Sequence, residues 1–164
     1  MDLYPWVVFL HVVLVILALS AHGVSAFAMF RVRSEKDHSR LAAMLELSEV
    51  SLIWSGVGLL IAVILGIVAA IMGNHFSRLW PWAAIAVVVA IFAVMTPFAA
   101  NPMSAVRQAL GLRSRLDRKG AGPPAPASDA VLAATQARLR PELVGGLGVL
   151  AIVVLVYLME FKPF

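Results

Sequence analysis

Four stretches of this chain, 5–30, 47–73, 81–101 and 141–160, are long and apolar enough to cross a hydrocarbon layer, which takes about twenty residues of helix. That constraint decides the fold class before any motif is read. A segment in lipid must satisfy its backbone N–H and C=O groups internally, so only helices and closed barrels span membranes. Continuous apolar runs, rather than an alternation of apolar and polar residues, select the helix. Composition agrees: 62% of residues are hydrophobic and 13% charged, against roughly half and a quarter in soluble domains. The expectation is an all-α, polytopic membrane four-helix bundle forming one transmembrane domain over residues 1–164. The segment 102–140 is then its long connecting loop.

Charge sets the expected orientation. Arg31, Arg33, Lys36 and Arg40 follow the first span, and Arg107, Arg113, Arg115, Arg118, Lys119, Arg138 and Arg140 lie between the third and fourth. Only Arg78 and Lys162 fall on the opposite side. The positive-inside rule then places these loops in the cytoplasm and both termini outside it. The first span reads as a retained helix rather than a cleaved signal, because nothing basic precedes it and its apolar run is too long.

The same placement argues against nucleic acid as partner. The net charge of +4 comes from residues beside the spans, where anionic lipid headgroups account for it. With no cysteine, disulfides, iron–sulfur clusters, thiolate catalysis and covalently attached haem are excluded. Gly-x-Ser-x-Gly, P-loop, His-Glu-x-x-His and dinucleotide patterns are missing as well.

Within the long loop, Met103–Leu116 is basic with apolar residues at Val106 and Leu110, and is expected to extend the third helix along the membrane surface. Residues 120–127, rich in Gly and Pro, form a linker. Ser128 is then expected to cap a short helix over Asp129–Leu139. In the third span Pro97 predicts a kink, with Thr96 able to bond a freed carbonyl. In the second, Gly58, Ala62, Gly66 and Ala70 place a small residue every four positions, which lets a neighbouring helix approach closely. Bundle packing, or a homodimer interface, follows from that stripe. Gly145, Gly146 and Gly148 loosen the start of the fourth helix.

His11 and His22 are the candidate site residues. Ionisable groups are costly in hydrocarbon and mark functional positions there. Eleven residues apart, they share one helix face, separated by roughly 16 Å along the axis. At the inner depth, His22 has Glu46, Glu49, Ser51, Asn101, Met95 and Met103 for company. Gly23 and Ser25 reduce bulk beside the imidazole, as a close helix or a flat ligand would need. Glu46 and Glu49 share a face and are expected to serve as interfacial caps and partners for Arg40. The outer group holds His11, Met72, His75, Met159 and Glu160, whose imidazole and thioether groups suit copper(I) or haem iron. The cores of the other spans carry no histidine, which disfavours two bis-histidine haems within one chain.

Phe9-Leu10-His11, Ala21-His22-Gly23-Val24-Ser25, Arg31-Val32-Arg33, Leu47-Ser48 and the terminal Lys162-Pro163-Phe164 resemble a family of small bacterial integral membrane proteins without an assigned activity. The likeness runs over essentially the whole chain. More distantly, the Leu10-His11 start is similar to the copper-resistance D family and to membrane protoporphyrinogen oxidases. Those likenesses imply copper handling or haem chemistry at His11. Leu17-Ala18-Leu19-Ser20-Ala21 stands where those families continue with Trp-x-Gly-Gly or Trp-Phe-Ala-Gly-Leu.

Three readings follow. The first is a redox protein holding haem b or copper through His11 and His22. The second is an accessory subunit of a larger membrane complex, and the third a small carrier with His22 as its proton-coupled group.

Overall fold

The computed structural model describes residues 2–114, 117, 120 and 122–164, and every described element is helical. The elements are α1 (Tyr4–Val32), α2 (His38–Met72), α3 (Trp80–Met95), α4 (Asn101–Ala109), α5 (Asp129–Gln136) and α6 (Pro141–Phe161). A 3-10 turn over His75–Ser77 links α2 to α3, and a π-helical turn over Thr96–Ala100 links α3 to α4. Four helical stretches are long and apolar enough to cross a membrane: α1, α2, α3 continued through α4, and α5 continued through α6. Only 6% to 17% of the most apolar window in each is buried inside the protein, so the apolar majority faces outward, as a bilayer solvent requires.

Helix starts follow local chemistry. Proline stands in the first turn of α1, α3, α4 and α6, where its missing N–H would have had no helical partner. α2 begins nine residues before the expected start at 47. Asp37 explains this: its carboxylate accepts from the Ser39 and Arg40 amides at 2.9 and 3.0 Å. The added turns carry Leu41 and Leu45, both fully buried. The π turn forms where Thr96-Pro97 predicted a kink, and Thr96 Oγ1 donates to the Phe92 carbonyl at 3.1 Å. α4 ends at Ala109, and Gly111, two residues on, has a φ of 81° that suits glycine and a Cβ position that would meet Pro126. Leu116, Arg115, Arg118 and Lys119, part of the expected surface extension and of the charge bias, lie outside the described residues. α5 ends at Gln136, three residues short of the expected Leu139, and Ser128 occupies the cap position without a side-chain cap bond.

The helices pack in two antiparallel pairs, α1 with α2 and α3 with α6, joined through contact of α1 with α6. The first pair is the tighter, and its seam has a seven-residue repeat. Tyr4, His11, Ala18, Ser25 and Val32 on α1 share that spacing, as do Leu41, Ser48, Ser55, Ala62 and Ala69 on α2. Seven residues is two turns at the 3.5-residue period of a coiled-coil seam. Most of the seam is small because, in lipid, helices are held by close van der Waals approach rather than by expulsion of water.

At the basic end of the molecule the seam runs into a wider buried apolar core. Met29, Val32, Leu41, Leu45, Val106, Leu132, Leu139 and Val144 form one buried cluster drawn from α1, α2, α4, α5 and α6. Gln136 Nε2 donates to the Val32 and Glu35 carbonyls at 2.7 and 2.9 Å, satisfying acceptors left open at the end of α1. Arg33 holds Glu142 in a two-oxygen ion pair at 2.9 Å, fastening α6 to α1.

Candidate functional site

His11 lies on the α1–α2 seam, and its position is set by two features of α2. The ring occupies the notch left by Gly66: a Cβ there would lie 2.9 Å from His11 Cε1 and 3.1 Å from Nδ1. Nδ1 is 2.7 Å from the Ala62 carbonyl oxygen. A carbonyl only accepts, so Nδ1 carries the proton and donates, and Nε2 is left with its lone pair in the neutral imidazole. A histidine whose one nitrogen is held by a backbone carbonyl has a fixed tautomer and ring plane, the usual preparation of an imidazole for a metal.

His22 is placed differently. It is half-buried on α1 and makes no hydrogen bond or ion pair among the described residues. α1 is a continuous helix over both positions, so the axial separation of roughly 16 Å at the standard rise stands. The structure does not bring His11 and His22 into one site. Nor do Gly23 and Ser25 frame an imidazole niche. Ser25 is buried and hydrogen-bonded to Ser48 at 2.7 Å, while nothing approaches within 4 Å of a Cβ built on Gly23.

The outer group does not assemble around His11 either. His75 Nε2 is 3.1 Å from the Tyr4 hydroxyl, and its ring packs at 5.4 Å from that of Trp80. Lys162 Nζ lies 5.9 Å above the same indole, and the Trp80 amide donates to the Phe164 carbonyl. This cluster ties the starts of α1 and α3 to the end of the chain. Met72, Met159 and Glu160 are exposed. Among the described residues no group of three His, Cys, Asp or Glu side chains converges as a metal site would require.

At the basic end the partner of the two glutamates is corrected. Arg40 is exposed, and Arg107 on α4 takes both carboxylates instead: Nη2 is 2.8 Å from Glu46 Oε1 and 2.5 Å from Glu49 Oε2. Nε donates to the Arg113 carbonyl at 2.9 Å. Arg107 is 8% exposed, and the planar guanidinium suits a bridging role because its donors spread in a fixed fork. Nothing in the sequence pairs Arg107 with the glutamates, because it comes 61 positions after Glu46, among other arginines with the same local appearance. Its one distinguishing sign is that Val106, next to it, belongs to an apolar core position.

The expected small-residue stripe serves α1. Gly58 faces Ala18, Gly66 faces His11 and the Ala62 carbonyl accepts from His11. What the arrangement offers chemically is therefore one oriented imidazole in a helix pair long and apolar enough to cross a membrane, and a charged clasp fastening α4 to α2. Comparison with protein-family models, curated proteins and solved structures finds no match to this chain.

Proposed function

We propose that this chain is a multi-pass protein of the bacterial cytoplasmic membrane that presents His11 as an imidazole ligand for haem b or a copper ion, in a redox role. The observation that carries the proposal is the His11 Nδ1 donation to the Ala62 carbonyl at 2.7 Å, which leaves Nε2 as the ligating atom. His11 fits one coordination position and no more; the described residues bring no second ligand to it. Haem iron accepts one or two axial protein ligands, so a single-histidine haem would need only His11 from this chain, and a two-ligand site would need a residue from outside the described ones.

The test is purification after expression with supplementary haem or copper, followed by an optical spectrum and metal analysis. Wild-type protein should carry a haem band or bound copper, His11→Ala should lose it, and His22→Ala should keep it. Protein that stays colourless and metal-free under both supplements overturns the reading. Sidedness can be read in the same preparation, since a chain without cysteine accepts single introduced cysteines as labelling sites. Cysteines in the 34–36 and 122–127 segments should be labelled only from the cytoplasmic side.

A second reading, an accessory subunit of a larger membrane complex, is favoured by the folded core at the basic end, where five helices converge on one buried cluster. Such a folded cap offers a partner a defined surface. Extraction in mild detergent should then recover other chains with it, and a lone monomer would exclude this reading.

A further inference from the structure

On the side of the α1–α2 pair facing outward at the basic end, a shallow groove of about 560 Å³ runs between the two helices. This is within the roughly 300–1,000 Å³ of small-ligand sites. Its walls include Ser20, Gly23 and Phe27 of α1 and Met44 and Leu47 of α2, with Arg31 at its end. At Gly23 the groove is open: a Cβ built there meets nothing within 4 Å. The lining is apolar apart from the Ser20 hydroxyl and Arg31, as acyl-chain contact would require.

Arg31 is what makes this groove more than an uneven helix face. It is exposed, and its guanidinium makes no hydrogen bond or ion pair among the described residues, although its neighbour Arg33 is held by Glu142. An uncompensated cation stands where the apolar wall of a membrane-spanning pair gives way to the basic loops. From this charge complementarity we infer that the groove binds one anionic phospholipid, its acyl chain against Gly23 and Phe27 and its phosphate on Arg31. Basic pockets between membrane helices on the cytoplasmic side have this chemistry.

The experiment uses the full chain in vesicles of phosphatidylcholine containing spin-labelled phosphatidylglycerol or spin-labelled phosphatidylcholine, and reads the motionally restricted lipid. Wild-type protein should prefer phosphatidylglycerol, and Arg31→Gln should reduce that preference about fivefold, the contribution of one basic residue at an anionic surface. Arg78→Gln, at the opposite end, should leave it unchanged. Gly23→Phe should displace one restricted lipid of either kind while the fold holds, because the position is open. The inference is overturned if Arg31→Gln leaves the preference unaltered. It is equally overturned if Gly23→Phe lowers the oligomeric mass instead of the lipid count, which would mean that a second copy covers the groove.

Discussion

Adding one methyl group at Gly66 should loosen the α1–α2 pair, and the size of the effect follows from the geometry. The new Cβ would lie 2.9 Å from His11 Cε1 and 3.1 Å from Nδ1, closer than carbon atoms pack, so the imidazole must move. Moving it breaks the 2.7 Å bond to Ala62. An interhelical hydrogen bond in a membrane protein contributes ~0.6 kcal/mol on average and up to ~1.7 kcal/mol, and overpacking costs about 1–3 kcal/mol. Replacing a helical glycine by alanine returns roughly 0.5–1 kcal/mol. Gly66→Ala should therefore destabilise by about 1–3 kcal/mol net. Gly56, on the same helix with nothing within 4 Å of its Cβ, is the internal control: Gly56→Ala should be neutral or slightly stabilising. The assay is reversible unfolding in mixed detergent micelles, with the four variants of a His11→Ala, Gly66→Ala cycle. In the double variant the methyl enters space the ring has left, so the two changes should couple by at least about 0.5 kcal/mol. If Gly66→Ala behaves like Gly56→Ala, or the cycle shows no coupling, the seam is not packed as described and the His11 tautomer argument fails with it.

Other outcomes follow from the same structure. Ser25→Ala should cost ~0.6–1.7 kcal/mol in that unfolding assay, and adding Ser48→Ala should cost little more, since the first change already removes the bond. Arg107→Met leaves Glu46 and Glu49 without their shared cation and should release α4, seen as faster proteolysis between residues 101 and 114. Glu46 is 56% exposed at its side chain, so Glu46→Gln should change stability by only about 0–1 kcal/mol. Hydrogen bonds from the Arg40 amide and the Ser39 hydroxyl hold the Asp37 carboxyl below the usual range. Its contribution is therefore complete above the carboxylate's unfolded pKa and lost as pH falls through the lower folded value. Protection of the Ser39 and Arg40 amides, measured against their intrinsic exchange rates, should fall as pH drops through that value, and Asp37→Ala should lack this protection at every pH.

Much of this molecule was readable in one dimension. Apolar length alone placed the four spans, and Thr96-Pro97 marked the break that the structure resolves as a π turn. In each case the information is local: a bilayer imposes helix on any sufficiently apolar run, and proline removes a donor wherever it stands. The start of α2 lies nine residues before the apolar stretch at 47, although its signal, Asp37 followed by Ser39 and Arg40, is present in the sequence. Hydropathy counts membrane residues and does not register turns that continue past the membrane into a protein core.

The seam and the site were another matter. Pairing of Ser25 with Ser48, of His11 with Ala62, and of Arg107 with Glu46 and Glu49 depends on the register between helices that are remote in sequence or reversed in direction. Shifting one helix against the other by a single residue rotates it by about 100° and would send each of these groups to another partner. Local sequence offered Arg40 for the glutamates and Gly23 and Ser25 for His22, and both were reasonable at short range. The sequence by itself thus determined a helical protein with four stretches apolar enough to span a membrane and ionisable groups on the first of them. Only the tertiary structure decided which of them is oriented by a neighbour, because a hydrogen bond 2.7 Å long is fixed by packing across the seam.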